Sequence, residues 1–156
     1  MDLIWKALGT ITDPEIPVLS LVEMKIIRDV QVTRDAIRVV ISPTFIGCPA
    51  LEQMKSEIRA RLAGIGFKQV EIETTFAPPW TTELLADDAK EKLRSFGIAP
   101  PPGGEGELIA LLLLPVACPF CNSQQTRLDS EFGATLCKQI YFCDNCRQPF
   151  ERFKPI

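Results

Sequence analysis

Two Cys-x-x-Cys stretches decide the fold of the C-terminal part of the chain: CPFC at residues 118–121 and CDNC at residues 143–146. A gap of two residues lets both sulfurs of a pair turn onto one ion, and two such pairs complete a tetrahedral shell of four thiolates. The sequence therefore predicts a structural zinc site with the ligands Cys118, Cys121, Cys143 and Cys146. Mononuclear iron in the same shell stays open, because the ligand geometry does not separate the two metals.

The cysteine and histidine content limits the chemistry of the chain, which has six cysteines and no histidine. Every histidine-ligated metal site and every nucleophile activated by histidine is therefore excluded. Local disulfides or a redox dithiol are the alternatives for the two pairs. Nothing in the sequence suggests export, and cytosolic thiols stay reduced, so the clustering of cysteines favours metal.

The segment between the two pairs predicts a β-hairpin, with strands at 126–132 and 138–142. Asn122 follows the first pair, where a left-handed backbone is often needed, and asparagine tolerates that conformation. A hairpin with metal-binding knuckles is the architecture of a zinc ribbon. Because this module has so little core, we expect it to unfold without its ion.

A fifth cysteine, Cys137, lies between the predicted strands of the hairpin. One interpretation is a small buried hydrophobic residue, as free cysteine often is. The other is a spare sulfur beside the metal that transfers or shares a cluster. The sequence leaves both interpretations open.

Composition and charge disfavour several classes of partner. The 156 residues carry a formal net charge of −3, and 46% of them are hydrophobic, enough for a folded core. With four thiolates around zinc, the region from residue 118 onward is net negative, which disfavours binding to nucleic acid. The longest apolar run, 108–116, is too short to span a bilayer, and the start of the chain lacks a signal-peptide pattern. We therefore expect a cytoplasmic protein with no nucleic-acid or membrane partner.

Prolines and glycines at 100–107 predict a linker between two parts of the chain. We expect a first domain at 1–99 and a zinc-ribbon module at 108–156, which begins with a strand at 108–114. Helices and strands alternate in the first domain, so its predicted class is α/β (α+β), with the element order αββαβα.

The elements of the first domain follow from hydrophobic periodicity and from the positions of glycine and proline. The clearest helix is at 49–63, with Pro49 as its first helical residue. The third helix is predicted to be capped by Thr81 or Thr82 and to be closed by Gly97. The other elements are a helix at 2–9, a hairpin with strands at 24–32 and 37–42, and a strand at 70–76.

Cys48 lies in the stretch PTFIGCP at 43–49, between a predicted strand and the clearest helix. At a helix cap, unpaired amides and the helix dipole would lower the pKa of the thiol and favour an exposed thiolate. A plain cap or a small buried residue is one interpretation. Because there is no histidine to act as its base, the functional interpretation is a metal or iron–sulfur ligand and not an acyl-transfer nucleophile.

The stretch DPEIP at 13–17 is the second unusual feature of the first domain. The simple interpretation is a capped turn, with Asp13 as the cap and Pro14 at the first position. The functional interpretation makes Asp13 and Glu15 oxygen ligands or acids near Cys48. Sequence alone does not establish that proximity.

These motifs together resemble a known family. DPEIPV at 13–18 followed by PTxxGCP at 43–49 is similar to the metal–sulfur cluster biosynthesis domain family. The full layout, which adds FGATxCK at 132–138 and CxxCxxPFxxFK at 143–154, is similar to the PaaD-like family of phenylacetyl-CoA epoxidase subunits. One departure is EMK at 23–25, where relatives usually carry Asp-Leu-Gly, and it leaves the geometry of that turn open.

The resemblance implies a cluster-assembly domain whose site is formed by Cys48 and by the loop with Asp13 and Glu15. It also implies an accessory subunit, without catalytic residues of its own, beside a multicomponent oxygenase that epoxidises the ring of phenylacetyl-CoA. The implied task is to help install or maintain iron or iron–sulfur centres in the oxygenase and reductase subunits. A transient iron–sulfur cluster or iron would be the cargo, and a homodimer stays open.

Three hypotheses about function follow. The residues favour a non-catalytic maturation factor over a thiol or metal-dependent enzyme that uses Cys48, and over an adaptor that only holds subunits together. The lack of histidine and of a cofactor-binding glycine loop weighs against the enzyme. A cysteine at a helix cap weighs against the adaptor.

Overall fold

The computed structural model describes residues 1–34, 36–102 and 114–155. They form two compact units, Met1–Trp80 and Thr81–Ile156. Within the described ranges, no helix is long and apolar enough to cross a bilayer. The predicted strand at 108–114, apart from its last residue, and the predicted linker from residue 103 onward lie outside the described residues.

The first unit is a three-stranded mixed sheet with two helices. Its elements are α1 (Asp2–Leu8), β1 (Ile27–Val32), β2 (Ala36–Ile41), α2 (Leu51–Gly64) and β3 (Gln69–Thr74). β1 and β2 pair antiparallel, as the predicted hairpin requires, and β2 pairs parallel to β3. A parallel pair needs a crossover connection, and α2 supplies it.

One face of this sheet is buried by apolar side chains. Along β2, Ile37, Val39 and Ile41 are buried, whereas Arg38 between them is exposed. The buried residues of α2 recur every four positions: Met54, Ile58 and Leu62. Because a strand repeats every two residues and a helix every 3.6, both elements place their apolar side chains on one side. This periodicity is why the predicted strands and the predicted helix are confirmed.

The helix α2 begins two residues later than the sequence predicts. Its first residue is Leu51 and its cap is Ala50, so the prediction that Pro49 is the first helical residue is wrong. The amide of Cys48 donates to the carbonyl of Phe45 at 3.4 Å, and the amide of Leu51 donates to the carbonyl of Cys48 at 3.2 Å. A turn therefore precedes the helix, and Cys48 lies in that turn and not at the cap.

The second unit combines a helix with a four-stranded sheet. Its elements are a 3-10 turn (Thr82–Leu84), α3 (Asp87–Ser95), β4 (Ile98–Ala99), β5 (Thr126–Ser130), β6 (Lys138–Cys143) and β7 (Pro149–Phe153). The strand order is β4-β7-β6-β5, with β4 parallel to β7 and the other pairs antiparallel. The predicted ribbon hairpin is the pair β5–β6. A small core contains Ala99, Val116, Cys118, Tyr141, Cys143 and Phe150.

The division between the units differs from the predicted domain boundary at residue 99. Ile98 lies opposite Glu151 and Ala99 lies opposite Arg152, so β4 belongs to the same sheet as the ribbon strands. The helix α3 also lies in this second unit. The mixed α+β class is confirmed, but the order αββαβα within one domain is not, because its last helix is part of the second unit.

The start of α3 also differs from its prediction, whereas its end agrees. The helix begins at Asp87 after Ala86, and Thr82 opens the separate 3-10 turn, so the predicted threonine cap is wrong. Gly97 follows the helix with φ 90°. This conformation costs a residue without a Cβ atom little, and it closes the helix as predicted.

Candidate metal centre and candidate cysteine site

The second unit brings the four predicted ligand sulfurs together. All four Sγ atoms lie within 4.8 Å of one another. The Sγ–Sγ distance is 3.7 Å between Cys118 and Cys146 and 3.6 Å between Cys121 and Cys143. Sulfurs at about 2.3 Å from a tetrahedral zinc ion would be about 3.8 Å from one another. The four cysteines therefore fit a zinc ion with little movement of the chain.

The first knuckle is held by its backbone. The amide of Cys118 donates to the carbonyl of Ser123 at 2.9 Å, and the amide of Asn122 donates to the carbonyl of Cys118 at 2.9 Å. Asn122 has φ 60°, the left-handed conformation that the sequence predicts for it. These bonds fix the direction in which the first pair of sulfurs points.

The second knuckle repeats this pattern with different residues. The amide of Cys143 donates to the carbonyl of Gln148 at 2.9 Å, and the amide of Arg147 donates to the carbonyl of Cys143 at 2.9 Å. Arg147 has φ 62°. The sequence does not predict this left-handed arginine, because arginine does not favour the conformation. Its spacing from Cys143, equal to that of Asn122 from Cys118, is the signal that could have found it.

The protonation of the four thiols is uneven. Hydrogen bonds from the Asn145 side chain and the Ser123 backbone lower the pKa of Cys121 to about 6. Burial and the neighbouring cysteine sulfurs raise the pKa of Cys146 to about 12. Four sulfurs at these distances cannot all be thiolates unless a cation lies among them. Binding of a divalent cation would therefore displace protons from the site.

Cys137 lies outside this group of four. Its side chain is buried, and its Sγ atom is 3.1 Å from the hydroxyl oxygen of Thr135. Cys137 directly precedes β6, and Cys143 is the last residue of that strand. The five steps of β6 span about 17 Å at about 3.3 Å per residue. The position agrees with the interpretation as a small buried residue, and it is too distant for Cys137 to share the ion.

The first unit holds Cys48 half-buried in the segment between β2 and α2. The pKa of its thiol is raised, so the predicted lowering is wrong. Burial is the largest cause, and the negative charges of Glu15 and Asp13 raise it further. Hydrogen bonds from the backbone at Ala50 and Leu51 favour the thiolate but do not outweigh burial. At neutral pH, Cys48 is therefore a neutral thiol.

The loop that carries Asp13 and Glu15 is a capped turn, as the simple interpretation predicts. Asp13 is 4% exposed, and its Oδ1 atom accepts hydrogen bonds from the amides of Glu15 at 2.8 Å and Ile16 at 2.9 Å. Both carboxylates act on the pKa of Cys48, so the structure brings the loop and the thiol within electrostatic range. Asp13 therefore caps the turn, and its negative charge also raises the pKa of Cys48.

The turn before β1 keeps a left-handed residue despite the unusual sequence at 23–25. The backbone amide and the hydroxyl of Ser20 donate to Oε2 of Glu23 at 2.8 and 2.7 Å. The amide of Glu23 donates back to the Ser20 hydroxyl at 3.2 Å. Lys25 has φ 55°, and the indole Nε1 of Trp80 donates to the carbonyl of Met24 at 2.7 Å. The conformation that suits glycine is thus present, with lysine in it.

Two family models match the chain, one in each half. Residues 2–74 match the model described as iron-sulfur cluster assembly protein. Residues 113–154 match the model described as PaaD zinc beta ribbon domain. The second match shows that the hairpin with the four cysteines is a zinc ribbon.

Individual relatives agree with these matches. The chain is 42% identical over 153 residues to an Escherichia coli (strain K12) protein provisionally named as a subunit of 1,2-phenylacetyl-CoA epoxidase, and the match covers 98% of this chain and 92% of that protein. It is 32% identical over 90 residues to an Fe-S protein maturation auxiliary factor of Porphyromonas gingivalis, a match that covers 56% of this chain and 85% of the relative. The crystal structure of a domain of unknown function, DUF59, from Bacillus anthracis shares the fold. Its TM-score is 0.55 at 24% identity, over 59% of this chain and 89% of that one.

Proposed function

The chain belongs to the PaaD family of phenylacetyl-CoA epoxidase subunits, and we propose that it is a non-catalytic maturation subunit of such a multicomponent oxygenase. In this proposal it helps to install or maintain iron or iron–sulfur centres in the oxygenase and reductase subunits. Cys48, Asp13 and Glu15 handle the iron or the cluster, which is the cargo. Zinc bound by the four cysteines has a structural role.

The observation that carries the proposal is the pairing of Cys48 with two carboxylates. Asp13 and Glu15 disfavour a free thiolate at Cys48, but they would favour any cation that approaches it. A metal ion could displace the proton of the thiol and be held by a soft sulfur beside hard oxygens. A half-buried site of this kind suits an ion that binds transiently.

The same observation weighs against a thiol enzyme. A nucleophilic cysteine needs a thiolate, and its usual activators are a neighbouring base or positive charge. Here burial and two negative charges raise the pKa of Cys48, and the chain has no histidine. The match of residues 2–74 to the iron–sulfur cluster assembly family and the likeness to a maturation factor support cargo handling instead.

Zinc would be held in the second unit by Cys118, Cys121, Cys143 and Cys146. When bound, it supplies a cross-link between the two knuckles and the positive charge that four clustered sulfurs require. The knuckle backbones orient the sulfurs. The small apolar core beside them keeps water from the two buried ligands, Cys118 and Cys143.

An adaptor that only joins subunits is the second candidate. It is favoured by large apolar side chains that the second unit leaves exposed, since such side chains often form protein contacts. They include Phe120, Phe132 and Leu136. An adaptor would need these side chains and a folded ribbon, but it would not need Cys48.

Coexpression with the oxygenase and reductase subunits of a phenylacetyl-CoA epoxidase tests the proposal. We expect Cys48→Ser to lower the iron bound per oxygenase or per reductase, together with epoxidase activity, because serine does not supply a soft sulfur. The matched control is Cys137→Ser, which makes the same change at a buried thiol of the second unit. The substitution at Cys48 should change the free energy of unfolding by less than about 1 kcal/mol.

The outcomes separate the candidates. If both partners are fully metallated and active beside Cys48→Ser, the maturation role is wrong and an adaptor remains. If the wild-type chain by itself turns over a substrate, Cys48→Ser does not, and the metal content of the partner subunits is unchanged, the thiol enzyme is correct. Iron content of the separated subunits, measured by mass spectrometry of the metal, is the deciding quantity.

A further inference from the structure

The two knuckles share their backbone pattern but differ in one side chain. The third residue of the first Cys-x-x-Cys stretch is Phe120, and that of the second is Asn145. Phenylalanine offers no hydrogen-bond donor from its side chain, whereas the amide of asparagine does. The side-chain Nδ2 of Asn145 donates to Sγ of Cys121 at 3.6 Å, across from one knuckle to the other.

The sulfur that receives this bond is the most accessible of the four. Cys121 is exposed and Cys146 is partly exposed, whereas Cys118 and Cys143 are fully buried. A chelator, an alkylating reagent or water therefore reaches Cys121 first. Loss of the ion would begin when its bond to this sulfur breaks. The freed thiolate then takes a proton from solvent, and a donor atom of the chelator binds the ion in its place.

We propose that Asn145 is a positioning residue that retains the metal by holding the sulfur of Cys121. The N–H···S bond fixes the rotamer of the most exposed ligand. It also partly neutralises a thiolate that lacks the protection of the core. Groups that hydrogen-bond metal ligands commonly change metal affinity by 10- to 100-fold. Because Asn145 is itself exposed, we expect an effect at the lower end of that range.

The test uses the full chain loaded with zinc and measures the rate at which the ion passes to a chromogenic chelator. We expect Asn145→Ala to release zinc about tenfold faster than the wild type. Asn145→Asp should release it faster still, because a carboxylate replaces the donor beside a thiolate. The matched control is Gln148→Ala, which removes an exposed side-chain amide near the same stretch and keeps its backbone bonds.

Two further measurements separate positioning from misfolding. The cobalt-substituted variants should keep the absorption of a tetrahedral four-thiolate site, so that faster release is not caused by an unfolded knuckle. During release, mass spectrometry should find Cys121 alkylated before Cys118 and Cys143. The inference is wrong if Asn145→Ala releases zinc at the rate of Gln148→Ala, if Asn145→Asp is no faster than the wild type, or if a buried cysteine is alkylated first.

Discussion

The four cysteines of the second unit and Cys48 of the first unit lie in two different kinds of surroundings. In the ribbon, bonds between backbone groups fix both knuckles, and four sulfurs lie within 4.8 Å of one another. In the first unit, Cys48 lies in a turn beside a loop with two carboxylates. The first arrangement places four sulfurs where they could surround one ion, whereas the second leaves a neutral thiol near two negative charges.

The two units also differ in what stabilises their folds. The second unit has a small core that includes two of the ligand sulfurs, so its folding and its ion are coupled. The first unit is held by the apolar face of its sheet and by α2, so we expect it to fold without a metal. We infer that an ion could bind and dissociate at Cys48 while the first unit stays folded. Dissociation of the ion from the ribbon, in contrast, would unfold the second unit.

Removal of the ion should have the largest effect, and only on the second unit. We expect one tightly held zinc per chain and a colourless protein. Chelation or Cys143→Ser should unfold β5, β6 and β7, since structural zinc contributes on the order of 10 kcal/mol. The amide NMR signals of these strands should lose their chemical-shift dispersion, whereas those of β1, β2 and β3 should keep it. A red protein with iron–thiolate absorption, or a ribbon that stays folded without metal, would contradict the zinc assignment.

Removal of the Asp13 carboxylate should destabilise the first unit moderately. Its Oδ1 atom accepts two backbone hydrogen bonds in a buried turn, so Asp13→Ala should cost about 1–3 kcal/mol of unfolding free energy. The control is Asp29→Ala, an exposed acid in β1, which should cost under about 0.5 kcal/mol. Urea denaturation in the presence of zinc measures both. Equal costs for the two variants would show that Asp13 is not the cap of the turn.

The reactivity of Cys48 tests the electrostatic side of the comparison. Only the thiolate reacts with alkylating agents, so a raised pKa should make Cys48 slower at pH 7 than a cysteine in an unstructured peptide. Its rate should rise with pH through a midpoint above the ordinary value. Glu15→Gln removes one of the charges that raise the pKa and should speed the reaction at pH 7 roughly two- to fivefold.

The control for this prediction is Glu71→Gln, which makes the same change of charge at an exposed position in β3. Mass spectrometry of the zinc-loaded chain assigns the reacting cysteine. If Cys48 reacts faster than the peptide at pH 7, the thiol is a stabilised thiolate. Such a result would contradict the raised pKa of Cys48.

The smallest expected effect is at Lys25. A non-glycine residue with φ 55° is strained by roughly 1–2 kcal/mol, and glycine would relieve that strain. The greater conformational freedom of glycine in the unfolded chain offsets about half of the gain in stability. Lys25→Gly should therefore stabilise the protein by under about 1 kcal/mol. Lys68→Gly, at an exposed lysine outside helices and strands, should destabilise it slightly. Thermal unfolding in the presence of zinc gives the sign of each change.

Local patterns were sufficient for much of this fold. The Cys-x-x-Cys spacing predicted the four-sulfur group, and period-two and period-3.6 alternation predicted the hairpins and α2. The short strand β4 could not be predicted, because two residues carry no periodicity and its partners, Glu151 and Arg152, lie far along the chain. The predicted boundary at residue 99 rested on the prolines and glycines that follow it, and these give no sign of the pairing between β4 and β7.

The protonation of Cys48 also depends on distant residues. Sequence placed the thiol at a helix N-terminus and therefore predicted a low pKa. The structure adds burial and the charges of Glu15 and Asp13, which belong to a loop before β1. Burial and the charges of a loop distant in sequence therefore reverse the protonation state that the local pattern around Cys48 predicted.

The pairing of β4 with β7 bears on how this ribbon could be moved to another protein. Grafting only residues 113–154, the part that matches the ribbon family, would leave β4 behind. β7 would then become a bare sheet edge with unpaired amides and carbonyls, open to association with a second molecule. A graft that starts at Thr81 would include β4, which pairs with β7 and covers this edge of the sheet. The smallest portable piece of this chain is therefore longer than its recognisable motif.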